Sequence, residues 1–223
     1  MQSNIRSRTR KLTVIAMLCA VAYAVMVVGR IPVLTVPPFL KYDPKDVIIT
    51  IAGFLLGPLA GFAIVVIVSF FEMITVSDTA WIGFIMNVVS SAAFMLPAAF
   101  IYKKVHSLKG AIAGLISGWI SMTIIMLLYN YFLTPIFLGI PRTAVAAMLL
   151  PTFLPFNLLK GGLSAGITML LYKPVRIALD RSRLLPETSH APSGSKINIG
   201  IMLVSLFVVL SGVLLILVYQ GII

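Results

Sequence analysis

Cysteine is nearly missing: Cys19 is the single one in 223 residues, so no disulfide can close within the chain and no cysteine-based metal site can be built. Charge is scarce as well. Only 10% of the residues are charged, against about 25% in an ordinary soluble domain, which argues against a water-soluble globule. Acidic residues are scarcest, six Asp plus Glu against 17 Lys plus Arg. In a soluble protein that balance would point to nucleic acid. Here the basic residues flank apolar runs, as orientation by the positive-inside rule requires, and no nucleic-acid partner is expected. Catalytic signatures are missing too. No G-x-x-x-x-G-K-[ST] loop occurs, so the chain is not expected to hydrolyse ATP itself. There is no H-E-x-x-H, no serine in a strained elbow motif, and both histidines, His106 and His190, fall in loops expected to be cytoplasmic. Neither an enzyme, a bound metal nor a cofactor is expected.

Apolar residues, by contrast, make up 60% of the chain. A bilayer core takes about 20 of them per helix, and nearly uncharged runs at Leu12–Val28, Val47–Leu56, Leu59–Val76, Ile82–Ile101, Ala111–Leu133, Pro151–Tyr172 and Ile197–Tyr219 predict seven helices. The second is short. Gly57-Pro58 divides it from the third, because proline breaks the helix it would continue, and a tight helical hairpin is expected there. Arg6, Arg8, Arg10 and Lys11 precede the first run, which places the N-terminus in the cytoplasm. Lys103, Lys104, Lys109, Lys173, Arg176, Arg181, Arg183 and Lys196 then also fall inside, and only Arg30, Lys41, Lys45 and Arg142 fall outside. Seven spans put the C-terminus outside. The first run is longer than a signal-peptide core and no A-x-A follows, so it is expected to be retained. The segment from Pro174 to Lys196 is polar and carries Pro186, Pro192, Ser193, Gly194 and Ser195, the composition of a flexible linker. The organisation expected is a six-helix membrane domain over 1–180, a linker over 181–196 and an additional transmembrane helix over 197–219.

Charged side chains inside a span cost about 2.5 to 3.5 kcal/mol and need a partner or a wet cavity. Glu72 and Lys160 stand in that position. Asn157, Lys160, Gly161 and Ser164 share one face of the sixth helix, and Asn87, Ser90, Ser91 and Phe94 one face of the fourth, by their i, i+3, i+4, i+7 spacing. Asn87, Asn157 and Lys160 lie in the outer halves of their helices, where a site open to the outside would be. The alternative is that Lys160 merely pairs with Glu72 and that the serines join helices. The loop GRIPVLTVPPFLKYDPK at 29–45 is external yet apolar. It is read as a semi-rigid cover with Phe39, Leu40 and Tyr42 turned inward and Lys41, Asp43 and Lys45 in water, or else as a headgroup anchor. Pro151 and Pro155 suggest an interrupted backbone beside a cavity. Ala16, Ala20 and Ala24 in the first helix, and Gly110, Gly114 and Gly118 in the fifth, are spaced for close helix approach. They serve either packing inside the bundle or the docking of another membrane subunit.

The stretches PPFLKYDPKD (37–46), FLLGPLAG (54–61), SDTAWIGFIMN (77–87) and LPFNLLKGG (154–162) resemble the riboflavin-specific substrate-binding (S) components of energy-coupling factor (ECF) vitamin transporters. The resemblance implies an all-α integral membrane protein: a six-helix S-component-like bundle with one appended C-terminal transmembrane helix, which the usual pattern lacks. It further implies capture of riboflavin as the transported ligand, with a transmembrane coupling protein and two cytoplasmic ATPase subunits as partners in the cell membrane. A flavin suits the flat faces of Phe39, Tyr42 and Trp81 and the amides of Asn87 and Asn157. Its ribityl hydroxyls need polar partners, for which Lys160, Thr79 and Asp78 are candidates, and Leu40 and Lys41 complete the substrate-binding set. The docking face would be Ala16, Ala20 and Ala24. Rival readings are an S component for another vitamin or for FMN, and a membrane scaffold that transports nothing.

Overall fold

The computed structural model describes residues 2–33, 40–77, 79–181 and 199–222. All seven expected helices form. They are α1 (Gln2–Gly29), α2 (Lys45–Leu56), α3 (Pro58–Thr75), α4 (Ala80–Lys104), α5 (Leu108–Leu138), α7 (Leu154–Arg181) and α8 (Ile199–Tyr219). One more was not anticipated: a short α6 (Arg142–Met148), joined to α7 through a wide π turn at Leu149–Phe153. This turn is the interrupted backbone that Pro151 and Pro155 foretold, since neither can donate a helical hydrogen bond. Pro174, expected to begin the linker, lies inside α7 instead. Most of the expected linker lies outside the described residues.

Among the described residues six segments are long and apolar enough to cross a membrane: Arg8–Gly29, Pro58–Thr75, Ala80–Lys104, Leu108–Leu138, Arg142–Leu179 and Ile199–Tyr219. The 12 residues of α2 reach only about 18 Å at 1.5 Å per residue, short of a bilayer core about 30 Å thick. Its polar start therefore sits deep in the bundle. The turn into α3 is the expected hairpin. Gly57 adopts φ 92°, in the region that side chains disfavour, and Pro58 opens α3, where its missing N–H breaks no bond.

The core joins α1 through α5, with Val14, Leu18, Ile49, Ala52, Ile64, Val68, Phe94, Met95, Leu115 and Met122 buried together. Helices α4 and α5 approach most closely along Gly110, Gly114 and Gly118, and a Cβ at Gly114 would stand 2.7 Å from the Ala98 carbonyl oxygen. The glycine stripe is thus internal packing. The alanine stripe is not: Val14, Leu18 and Ala22 face inward and leave Ala16, Ala20 and Ala24 exposed. At the end away from the 29–45 loop, Phe54, Tyr102 and Tyr172 pack ring on ring and tie α2, α4 and α7 together.

Candidate functional site

Between α1 and α2 the chain makes a minimal antiparallel pair, β1 (Ile31–Pro32) with β2 (Lys41–Tyr42), in which Ile31 faces Tyr42 and Pro32 faces Lys41. The Val33 N–H donates to the Leu40 carbonyl at 3.3 Å and extends it. Alternation along an extended strand sends Leu40 and Tyr42 to one side and Lys41 to the other. Leu40 and Tyr42 are accordingly buried, packed with Val33, Val145, Phe153, Phe156 and Leu163, while Lys41 is half-exposed. Leu40 and Tyr42 are thus turned inward as expected, while Phe39 lies outside the described residues. The charged half of the loop reading does not hold: Asp43 and Lys45, expected in water, are 3% and 0% exposed, because the chain dives from the strand pair straight into the recessed start of α2.

Two charge clusters result. In the first, the fully buried Glu72 carboxylate of α3 is met by Lys45 Nζ, by Arg30 Nη2 at 2.5 Å and by Asn87 Nδ2 at 2.9 Å. Arg30 Nε also lies 2.8 Å from Asp43 Oδ1, and Lys45 Nζ lies 4.0 Å from Asp43 Oδ2. In the second, Asp46 Oδ1 accepts from Ser91 Oγ at 2.5 Å, while Lys160 Nζ stands 3.4 Å from Asp46 Oδ2 and 3.3 Å from Ser90 Oγ. The alternative reading of Lys160 paired it with Glu72. Because α2 begins earlier than its apolar run, Lys45 takes Glu72 and Asp46 takes Lys160 instead.

The second cluster is incompletely bonded. Asp46 Oδ2 is buried and accepts no well-formed hydrogen bond, and the hydroxyls of Tyr42 and Ser164 lie beside each other, while Arg30 Nε and Asp43 Oδ1 of the first cluster, Ser69 Oγ and the Trp119 indole N–H are also buried without one. Buried polar groups are normally satisfied, and this ion pair is bordered by groups with hydrogen-bonding capacity still unused. Burial, reinforced by the carboxylates of Asp46 and Asp43 and opposed by neighbouring Ser164, raises the Tyr42 phenol well above its ordinary pKa. It therefore presents a neutral O–H. Trp119 packs against Gly161 and Gly162, where a Cβ at Gly161 would collide with its ring.

Of the residues singled out from sequence, Leu40, Tyr42 and Lys160 meet at this second cluster. Asn157 lies one helical turn from Lys160, 1% exposed, and donates to the Phe153 carbonyl at 2.8 Å. Asn87 belongs to the Glu72 cluster. Thr79 lies elsewhere, its hydroxyl 3.1 Å from Ser77 Oγ, lining a shallow pocket with Gly83, Tyr129 and Thr134. Trp81, expected as an aromatic wall, is 65% exposed, with its ring edge-on to Phe84; its phase on α4 turns it away from the interior. Phe39 and Asp78 lie outside the described residues. Sequence reasoning missed Asp46 and Trp119. An acid at the start of a short apolar helix was the available signal for the first, and the facing Gly161-Gly162 pair for the second. Among the described residues no group of three or more His, Cys, Asp or Glu could hold a metal ion.

The family profile of the ECF transporter, substrate-specific component, matches residues 10–172. The riboflavin transporter FmnP of Bacillus subtilis (strain 168) is 31% identical over 185 residues, covering 79% of this chain and 97% of its own. The riboflavin transporter RibU of Staphylococcus aureus (strain TCH60) is 32% identical over 181 residues, covering 78% and 94%. A solved S component of a bacterial ECF transporter superposes with a TM-score of 0.67 at 31% identity, covering 78% of this chain and 99% of its own.

Proposed function

The chain belongs to the ECF transporter substrate-specific components, and from that premise we infer that it captures riboflavin at the Asp46–Lys160 cluster as the substrate-binding subunit of a vitamin importer. One observation carries the placement. Arg30, Lys45 and Lys160 are matched by Asp43, Asp46 and Glu72, so the buried network is charge-balanced, and at its Asp46–Lys160 end Asp46 Oδ2 accepts no well-formed hydrogen bond and lies near the hydroxyl pair of Tyr42 and Ser164. A neutral, polar, flat molecule suits that arrangement. Riboflavin brings ribityl hydroxyls and a pyrimidine edge for the orphaned groups, and a ring system for Tyr42 and the apolar wall of Phe153 and Phe156. FMN brings a phosphate of about −1.5 to −2 charge into a network whose cations are already matched. The site binds and releases its ligand unchanged; nothing in it resembles a nucleophile with its base.

Titrating the purified full chain with riboflavin, without ATP, is expected to quench flavin fluorescence saturably, and FMN is expected to bind more weakly. Saturable binding of another vitamin with no response to riboflavin would overturn the reading.

The protein is a multi-pass membrane protein, oriented in this proposal with the N-terminus in the cytoplasm and the C-terminus outside. Uptake then needs an ECF module, for which the expected composition is a transmembrane coupling protein with two cytoplasmic ATPases. The exposed Ala16, Ala20 and Ala24 offer it a face on which backbones can approach closely. Ala16→Leu with Ala20→Leu is expected to leave riboflavin binding and melting of the lone chain unchanged and to abolish ATP-driven uptake by the complex. A joint fall in stability and affinity would instead mean that the stripe packs within the chain.

A further inference from the structure

Helix α8 begins at Ile199, beyond the family match that ends at residue 172, yet it is built into the roof of the site. It packs along α7, where Gly212 accommodates Leu163 and Gly166 accommodates Val209 and the Ser205 carbonyl: a Cβ at Gly212 would come 2.6 Å from Leu163 Cδ2, and one at Gly166 3.0 Å from Val209 Cγ2. Its last turns reach the strand pair. Ile216 is buried in the same apolar cluster as Val33, Leu40, Tyr42 and Phe153. The Gln220 side-chain amide donates to the Pro32 carbonyl at 2.6 Å. Pro32 sits in β1, opposite Lys41 of β2, so this bond fixes the outer strand from outside while Ile216 supports the cluster beneath it.

We propose that α8 is an intramolecular brace: through Gln220 and Ile216 it holds the β1–β2 pair over the Asp46–Lys160 cluster and thereby sets how long a captured ligand is retained. A pair of two-residue strands is marginal by itself, since isolated hairpins are barely stable in water. Here one strand is anchored by α1 and the other by α2, and α8 supplies a third hold on a segment that ligand exchange must displace. Because α8 lies against α7, the alanine face of α1 stays open, and bracing does not compete with docking there. Retention by this brace rests on the riboflavin reading; the bracing itself does not.

The test uses the full chain in lipid nanodiscs, with Gln220→Ala and Ile216→Ala, and Leu214→Ala on the exposed side of α8 as control. Hydrogen exchange at the Val33 amide, which is bonded to Leu40, reads bracing without any ligand; riboflavin release after dilution reads retention. Loss of one amide hydrogen bond is expected to speed both by about threefold to tenfold; Ile216→Ala should do the same, and Leu214→Ala should change neither. Unchanged exchange at Val33 in both the Gln220→Ala and Ile216→Ala chains, with helicity and melting retained, overturns the brace. Faster exchange with unchanged riboflavin release overturns its role in retention. Faster exchange in a protein that binds no riboflavin at all would leave the brace standing and remove the riboflavin reading instead.

Discussion

Two carboxylates lie buried at the same end of this bundle, and their surroundings differ. Glu72 is closed: Lys45, Arg30 and Asn87 donate to its two oxygens, and both oxygens are used. Asp46 is open. One oxygen takes Ser91 and the other faces Lys160 at 3.4 Å without a well-formed hydrogen bond, near the hydroxyls of Tyr42 and Ser164. In a low dielectric a satisfied polar network rigidifies, while an unsatisfied one is costly. In the proposed reading the Glu72 cluster carries structure and the Asp46–Lys160 cluster meets the ligand. Net neutrality across the two lets six ionised groups persist inside a membrane protein, where a lone charge would be expelled or neutralised.

The comparison is tested most severely at the closed cluster. Glu72→Gln removes the counter-charge of Lys45, which is fully buried, and breaking a buried pair by deleting one partner costs about 3 to 5 kcal/mol. The expected outcome is a large fall in melting temperature and folded yield, mostly recovered by adding Lys45→Met. A single variant that melts like the parent would show that Glu72 is not the structural anchor described.

At the open cluster the dominant effect should move from stability to binding. Lys160→Met should weaken riboflavin by about 1.5 to 3 kcal/mol, the range for a charged hydrogen-bonding group, and should also destabilise the chain by leaving Asp46 unpaired. Adding Asp46→Asn separates the two, since it should restore melting but not affinity. If the double variant recovers affinity as well, Lys160 is structural. Asn157→Ala, whose amide also donates to the Phe153 carbonyl, should cost about 0.5 to 1.5 kcal/mol of binding and lower melting modestly through that lost bond, with the protein still folded.

How much of this was readable beforehand depended on where each residue's environment is set. The Asn157–Lys160–Ser164 stripe follows from helical spacing alone, a local property, and it stands in the structure as read. Asp46 did not emerge, because the apolar run begins one residue later, at Val47, and a charge next to a loop reads as solvated. Its burial comes from α2 being too short to reach the surface, which is a property of the packed bundle. The same limit applies to the two small-residue stripes. Alanines and glycines share a four-residue spacing, yet the glycines face α4 and the alanines face outward. Spacing alone says that a close approach is possible, and only the neighbouring helices decide with what. Trp81 shows the converse: an aromatic at the right depth whose phase on the helix points it outward.

The smallest change is also the sharpest. Tyr42→Phe deletes one oxygen from a ring that remains buried among Leu40, Phe153 and Leu163. If that hydroxyl served the fold, removing it would lose a hydrogen bond and lower the melting temperature. Its polar neighbour is the Ser164 hydroxyl, without a well-formed hydrogen bond between them, so its desolvation is poorly compensated, a cost that the phenylalanine avoids, and melting should hold or rise slightly. Binding should move the other way, weakening by about 0.5 to 1.5 kcal/mol as one bond to ligand disappears. Opposite signs in the two measurements are what a group kept unsatisfied for a ligand requires. At the closed cluster no substitution should give that pattern, because Asn87→Ala takes a bond from Glu72 and should lower melting first. A Tyr42→Phe chain that loses stability while binding riboflavin normally would place Tyr42 with Glu72 on the structural side and leave Asp46, Lys160 and Ser164 to define the ligand's contacts.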